Sequence, residues 1–565
     1  MKKELTIIGI IPRYPKHSQN NIYAKIKMPP VGILSVMSQI HHHPCCKEVY
    51  AIDENNYSGL QDDLGLPDHT FLQARQSAQL ALFYGGMSNS IPRMFMVARQ
   101  YKGFGAITIA GGSHVDALPQ EALSSGIDIV VHGEGEETIA ELLDVLVTES
   151  GVLLNRTGLT KVKGISFLDK NGAYVFTGAR QPICDLNELV DPDLTLVKFL
   201  KKRWSAIPIN RGRGCNWNCE FCVVNKQYGK YKSASIDTAL RQLIKYADLG
   251  YKDFFFTDDN FAQNPAEAIA LCREIGDYKR KFQKKIDIIV QVRSEAAEND
   301  ELLEAMRWAG ITTLAIGYES PINEELRAMR KGVTVEKLID RSKKLSNYFY
   351  LHGMFIFGYP ANNTTRERAF FTIKQRAECF KKFFKKSGID TIQLLNAVPL
   401  PGSELRARLE SEGRLLPLSM VGWDKYDGLF LCYNPRPDGL EPDDLQNMPK
   451  MLMKKRYLGG FISRQLNYGN WLNWVYIATI GFPIQFVVFY SRRFIRNLLE
   501  KQKMKNALRH DLPLHTLFTV PLANTWQDIK RRWRNLFIKT CAGAVVKRWL
   551  KEYRNSEYIN TLRQL

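Results

Sequence analysis

Three observations predict an α/β protein. Apolar runs ending in glycine or polar residues alternate with helical periodicity over the first 150 residues, and six further β/α units follow between residues 204 and 410. The last third turns to helical patterns with an excess of basic side chains. The first pattern implies a doubly wound, Rossmann-like domain and the second a partial (β/α)6 TIM-like barrel. The third implies a mainly helical C-terminal domain. A chain of 565 residues has room for three such units, which we divide as 1–150, a connector over 151–203, 204–410 and a basic helical domain over 411–565.

The N-terminal unit opens on Leu5-Thr-Ile-Ile-Gly-Ile-Ile11, a strand-like run, and continues through a helical pattern from Pro30 to Ile40 and a strand over Val49–Asp53. Leu80–Tyr84, Ala106–Ala110 and Ile127–Val131 extend the alternation. Glycines follow two of these strands, in Gly111-Gly112-Ser113-His114 and Gly133-Glu134-Gly135-Glu136, at the edge where parallel sheets bind ligands. In the connector, Lys161–Leu168 and Gly172–Phe176 read as a hairpin around Asp169-Lys-Asn-Gly.

The barrel strands are read at Ala206–Asn210, Phe254–Asp259, Ile286–Arg293, Thr313–Glu319, Gly353–Gly358 and Thr391–Leu395. Their polar ends matter, because β/α barrels carry their chemistry at the carboxyl ends of the strands. Between them lie helical patterns such as Glu301–Ala309, with Gly310 placed as a C-cap.

The chemistry centres on one loop, Arg213-Gly-Cys215-Asn-Trp-Asn-Cys219-Glu-Phe-Cys222. Three thiolates spaced Cys-x3-Cys-x2-Cys hold three corners of a cubic 4Fe-4S cluster and leave one iron open to a small molecule. A structural zinc site wants a fourth Cys or His close by, and none flanks the loop. Disulfides fit less well, because ten cysteines in the whole chain are sparse and most of the others are single. The pair Cys45-Cys46, just after His41-His42-His43, is a second metal-ligand pattern whose bland reading is an ordinary surface loop.

The cysteine spacing, with Phe221 before the last cysteine, resembles the radical S-adenosylmethionine superfamily. The resemblance implies that S-adenosylmethionine chelates the open iron and is cleaved by an electron from the cluster. The resulting deoxyadenosyl radical abstracts hydrogen from an unactivated carbon. It implies cluster ligation by Cys215, Cys219 and Cys222, which are also the catalytic residues. It further implies contacts to S-adenosylmethionine from Asp258 and Asp259 in Thr257-Asp-Asp-Asn260, from Gln291 and Arg293 on one face of the third strand, and from Glu319 on the fourth. Pro399-Leu-Pro-Gly402 matches a late barrel turn of the family. An electron donor such as flavodoxin or ferredoxin is the implied partner.

The N-terminal unit is similar to the cobalamin-binding domain that precedes the barrel in one class of that superfamily. Gly111, Gly112, His114, Gly133 and Glu134 are the implied contacts to cobalamin. The Asp-x-His-x-x-Gly signature that supplies a lower axial histidine to cobalt is absent here, so histidine ligation, by His114 or another, is not expected. A domain that has lost the cofactor and only shapes the site is the other reading.

Beyond the barrel, residues 465–490 carry no charge, and 491–565 carry 17 Lys or Arg against 5 Asp or Glu, a net +12 of the chain's +20. A bilayer span needs ~20 apolar residues, but Asn, Gln, Gly481 and Pro483 interrupt this run. It reads as a buried helical pair, a membrane-surface segment or a span. Bases interleaved with Trp533 and Trp549 suit an anionic membrane surface. They suit phosphates as well, though the apolar neighbour makes nucleic acid the weaker partner. No secretory pattern is seen, since the first apolar run is cut by Pro12-Arg13. With an oxygen-sensitive cluster, this predicts a cytoplasmic protein, peripheral at the inner membrane face.

The expected function is therefore cobalamin-dependent methylation of a small apolar substrate, lipid-like, isoprenoid-like or a secondary metabolite. Radical cyclisation, rearrangement or carbon-carbon coupling without methyl transfer is the alternative. A non-catalytic iron-sulfur protein is the alternative outside enzymes. Methylthiolation of tRNA fits less well, because the N-terminal unit lacks a second cluster-binding cysteine set.

Overall fold

The computed structural model describes residues 5–15, 27–148, 151–152, 154, 156–361 and 371–458, together with 546 and 550. It divides into two compact units, 1–449 with 555–565, and 450–554. The uncharged run 465–490 and the basic segment 491–565 lie outside the described residues, apart from Val546 and Leu550. Among the described residues no helix is long and apolar enough to cross a membrane.

The first sheet has eight strands: β1 (Leu5–Ile11), β2 (Cys46–Asp53), β3 (Leu80–Tyr84), β4 (Ile107–Gly111), β5 (Ile129–Val131), β6 (Ile165–Leu168), β7 (Tyr174–Phe176) and β8 (Val197–Lys198). Their order is β8-β2-β1-β3-β4-β5-β6-β7. The central 2-1-3-4-5 part is parallel and doubly wound. Strand β1 is buried along its whole length, as a strand covered on both faces by helices must be. Helices α1 (Val31–Ile40), α2 (Ile91–Gly103) and α3 (Glu136–Leu146) turn apolar stripes onto the sheet. Three strands come from the connector. The antiparallel pair β6–β7 is the hairpin expected around Asp169, added to the β5 edge, and β8 extends the β2 edge.

The second sheet is β9 (Ile207–Ile209), β10 (Asp253–Phe256), β11 (Asp287–Val292), β12 (Ile311–Glu319), β13 (Tyr350–Phe357) and β14 (Thr391–Asn396). All six are parallel and in sequential order, forming an open β/α barrel. Alternation sorts the side chains. Phe254, Val290, Leu314, Leu351 and Phe355 are almost fully buried, and Phe355 packs on Phe380, Phe383 and Phe384 of α4 (Ile373–Lys386), so this set faces the outer helices. The intervening residues, including Phe255, Ile289, Gln291, His352, Met354, Ile356, Gln393 and Leu395, therefore face the barrel interior. Helix Asp300–Ala309 ends at Gly310 as expected. Its φ of 93° is left-handed, and a β-carbon there would lie 2.5 Å from the Ile286 carbonyl oxygen, so only glycine fits.

Candidate active site

The cysteine loop leaves the barrel directly after β9. A short ribbon, Gly212–Arg213 paired with Lys232–Ser233, brackets it, and the Cys215 amide donates to the Gly229 carbonyl. The Cys222 amide closes a turn on the Cys219 carbonyl. All three thiols are half-buried. Burial pushes the Cys222 thiol up to about 11, with Cys219, Asp259 and Cys215 adding to the shift, and burial also raises Cys215. Thiols held protonated in this way are poor free nucleophiles, and a metal bound here must displace their protons. Their sulfurs are not drawn together within 4.8 Å, the spacing that marks a single-ion site. A four-iron cube needs its ligands spread apart, so the donor set fits a cluster better than zinc.

Three sets of contacts hold the loop, none of them evident in the sequence. On one flank Arg213 is buried and bridges Glu134 and Glu136, from the turn after β5, with the Glu134 contact at 2.9 Å. Lys232 also reaches Glu134, and Ser35 donates to Glu136 at 2.8 Å. Burial alone would raise the Glu136 carboxyl, but Arg213 and Ser35 more than offset it and hold it below the usual range. In the middle of the loop, Trp217 lies under the Arg293 guanidinium, 3.8 Å from the ring centroid, and against Gly332. On the other flank Glu220 is buried, accepting from Arg408 Nε at 2.7 Å and from the Tyr359 hydroxyl at 2.6 Å. Its carbonyl takes the Leu405 amide, just beyond the Pro399–Gly402 turn.

The two adjacent aspartates expected at S-adenosylmethionine point in different directions. Asp258 has no exposure and accepts from the Gly212 amide at 3.1 Å and Tyr231 at 3.3 Å, with the buried Arg211 3.6 Å away. It props the ribbon beneath the cysteine loop and is not presented to a ligand. Asp259 is exposed to solvent. Crowding by the protein pushes its carboxyl up to about 7, with Asp258 adding to the shift and the Gly214 amide opposing it. Its field reaches Cys215 and Cys222, so it is the member of the pair that faces the cysteines.

Gln291 faces the barrel interior and is partly exposed. Arg293 is committed to the protein: besides Trp217 it donates to the Lys331 carbonyl at 2.6 Å and meets Glu295. Glu319, at the end of β12 in left-handed backbone (φ 60°), is paired with the buried Lys331 at 2.9 Å. Glu134 is likewise engaged, as one pole of the Arg213 bridge.

His114 is turned inward as well. It is buried, with Nδ1 2.9 Å from Ser88 Oγ, Nε2 3.7 Å from Glu121, and its ring edge-on to Trp423 at 4.6 Å. It is not offered to cobalt. Gly111 and Gly112 follow β4, and a β-carbon on Gly112 would strike the Gly86 amide at 2.5 Å. The glycines therefore let the loops after β3 and β4 approach closely at the ligand-binding edge of the sheet. Gly133 is exposed, with φ 65°.

A parallel β/α barrel with a Cys-x3-Cys-x2-Cys loop after its first strand, beside the carboxyl edge of a doubly wound sheet, defines a radical S-adenosylmethionine protein. Residues 209–371 match the model of the Radical SAM superfamily, and the barrel is a radical S-adenosylmethionine domain, which works with a 4Fe-4S cluster. The chain is 29% identical over 413 residues to the uncharacterized methyltransferase PH0819 of Pyrococcus horikoshii, covering 70% of this chain and 81% of the relative. It is 24% identical over 425 residues to the hopanoid C-2 methylase of Rhodopseudomonas palustris, covering 73% and 71%. Its fold is similar to the solved radical S-adenosylmethionine methyltransferase TsrM from Kitasatospora setae with cobalamin and a [4Fe-4S] cluster bound, with a TM-score of 0.55 and 15% identity over 75% of this chain and 81% of that one.

Proposed function

We propose that the protein is a cobalamin-dependent radical S-adenosylmethionine methyltransferase that methylates carbon on an apolar, lipid-like or isoprenoid-like, substrate. When bound, the cluster supplies the electron that splits S-adenosylmethionine, and cobalamin carries the methyl group to be transferred. Cys215, Cys219 and Cys222 hold the cluster. Asp259 and Gln291 bind S-adenosylmethionine, while Asp258, Arg293 and Glu319 position the loops around it. The glycine loops after β4 and β5 accept cobalamin. Phe255, Ile289, Met354, Ile356 and Leu395 give the barrel interior an apolar lining that holds the substrate and keeps water from the reacting atoms.

The seam between the two sheets carries this reading. Arg213, two residues before Cys215, is bridged to Glu134 and Glu136 after β5, and a β-carbon on Gly402 after β14 would lie 3.3 Å from Ala117 after β4. The carboxyl edge of the doubly wound sheet thus abuts the carboxyl end of the barrel, so a cofactor on the first and a radical formed at the second would share one chamber. The hopanoid relative supports an apolar substrate.

The test is anaerobic reconstitution with reductant, cobalamin and S-adenosylmethionine labelled in its methyl group. Deoxyadenosine formation and label in an apolar extract are expected, with both lost in Cys219→Ala. No cleavage by wild type, or equal cleavage by the variant, defeats the enzyme assignment. Cleavage without a cobalamin spectrum or methyl transfer moves the protein to radical rearrangement or coupling.

We further propose that residues 465–565, uncharged and then strongly basic, dock on an anionic membrane surface where such a substrate resides. Flotation of the full chain with phosphatidylglycerol vesicles, lost above about 0.5 M salt, is the expected result. Equal flotation with neutral vesicles counts against it.

A further inference from the structure

A second thiol cluster lies at the opposite end of the first sheet from the radical chemistry. Helix α1 stops at Ile40, and the chain turns through His43, whose amide donates to the Ile40 carbonyl while its carbonyl accepts from the Cys46 amide. Cys46 then begins β2, and the Cys45 carbonyl is held by the amide of Leu5 at the start of β1. This turn is therefore built on backbone hydrogen bonds between the sheet and a helix end. On it, His43 Nδ1 is 2.9 Å from Cys45 Sγ, the two sulfurs are 4.0 Å apart, and all three ligand atoms lie within 4.8 Å of one another. Among the described residues it is the one group of three His, Cys, Asp or Glu side chains that converges so closely.

We propose that His43, Cys45 and Cys46 bind a single borderline-soft divalent cation of the zinc class, at a site separate from the iron-sulfur loop. Two thiolates and an imidazole are the ligand types zinc prefers over harder cations. With Zn–S bonds of about 2.3 Å, a tetrahedral site sets its sulfurs about 3.8 Å apart, close to the spacing found here. The Nδ1–Sγ distance is that of a hydrogen bond, so metal entry requires the imidazole to swing back by a few tenths of an ångström. A second observation points the same way. The far nitrogen of the ring, Nε2, faces Asp144 Oδ1 at 3.5 Å. At that distance the carboxylate favours the tautomer with its proton on Nε2, which leaves Nδ1 free to face a metal, here beside the sulfurs. Both thiols are buried, at 2% and 3% exposure, whereas the His43 side chain is 23% exposed. An ion can enter from that side and keep water as its fourth ligand. Binding releases the two thiol protons to solvent and changes no oxidation state. The metal joins the end of α1 and the start of β2, and Asp144 near the end of α3 braces it, so its role is to clamp the base of the domain.

The test uses the full-length protein carrying its iron-sulfur cluster, purified anaerobically after growth with zinc. Metal analysis should find about one zinc per chain, falling at least tenfold in Cys45→Ser/Cys46→Ser while the iron content is unchanged. Zinc-edge X-ray absorption on the wild type, which needs no variant to fold, should show two sulfur neighbours at about 2.3 Å and nitrogen or oxygen at about 2.0–2.1 Å. Absence of zinc, a shell without sulfur, or zinc lost in Cys219→Ala but retained in the double variant would each overturn the site.

Discussion

At the scale of single residues, neighbours in sequence have different tasks. Asp258→Asn removes the charge 3.6 Å from the buried Arg211, which keeps Glu267 at 2.6 Å, and weakens the charged acceptor of the Gly212 amide, so the expected cost is about 2 kcal/mol of stability, read as a lower unfolding midpoint. Asp259 is exposed, so Asp259→Asn should leave the midpoint within about 0.5 kcal/mol of wild type and instead weaken S-adenosylmethionine binding, measured by calorimetry on the reconstituted protein. If both variants lose stability equally, their separation is wrong. The sequence did not separate the two, because both lie beyond the end of β10, where strand alternation no longer sorts side chains. A second case is His352 inside the barrel, hydrogen-bonded through Nδ1 to Thr391. Burial pushes this imidazole down to about 4, against an ordinary value near 6.5. Between those values the unfolded chain binds more protons than the folded one, so stability falls as pH drops through that window. Allowing for its partial exposure, the loss by pH 4 should be about 2 kcal/mol. Denaturant titrations at pH 7 and pH 4.5 should show a smaller difference for His352→Gln than for wild type.

At the scale of elements, the strands and their order were legible, and their partners were not. The six barrel strands are where apolar runs end in polar residues, and the hairpin around Asp169 lies where its turn sequence puts it. Nothing local told which sheet the connector would join, since pairing depends on an edge supplied by residues far away. The same limit hid the supports of the cysteine loop. Arg213 and Glu136 are 77 positions apart, and Glu220 and Arg408 are 188 apart. Periodicity marks a buried face without naming what lies against it. The bridge itself is testable as a unit. Arg213→Met alone strands the buried Glu136 carboxylate and leaves Glu134 with Lys232 as its one cation, and should cost about 3–5 kcal/mol. Adding Glu134→Gln and Glu136→Gln should restore most of that stability. In the triple variant, deoxyadenosine formation should stay within about threefold of wild type while methyl transfer falls about tenfold or more, since about 1.4 kcal/mol of misplacement is a tenfold change in rate. Equal loss of both activities would mean that the bridge serves the cluster and not the alignment of the two domains.

At the scale of the whole molecule, the first compact unit holds both sheets, and the seam between them is polar and ionic where it meets the cysteine loop. The grip on that loop is distributed: Glu134 and Glu136 on one flank, Arg293 over Trp217 in the middle, Arg408 and Tyr359 on the other. These supports emerge from the ribosome in a definite order, before, soon after and long after the cysteines themselves. Contacts of such long range form late, because the intervening chain must be closed first. Iron insertion should therefore be timed to the end of synthesis. A chain truncated after residue 390 has every cysteine of the loop but not Arg408, and it should take up less than half the iron of the full chain under the same reconstitution. The protein would thus be protected, while still being made, from acquiring a redox centre before the chamber that contains its radical exists.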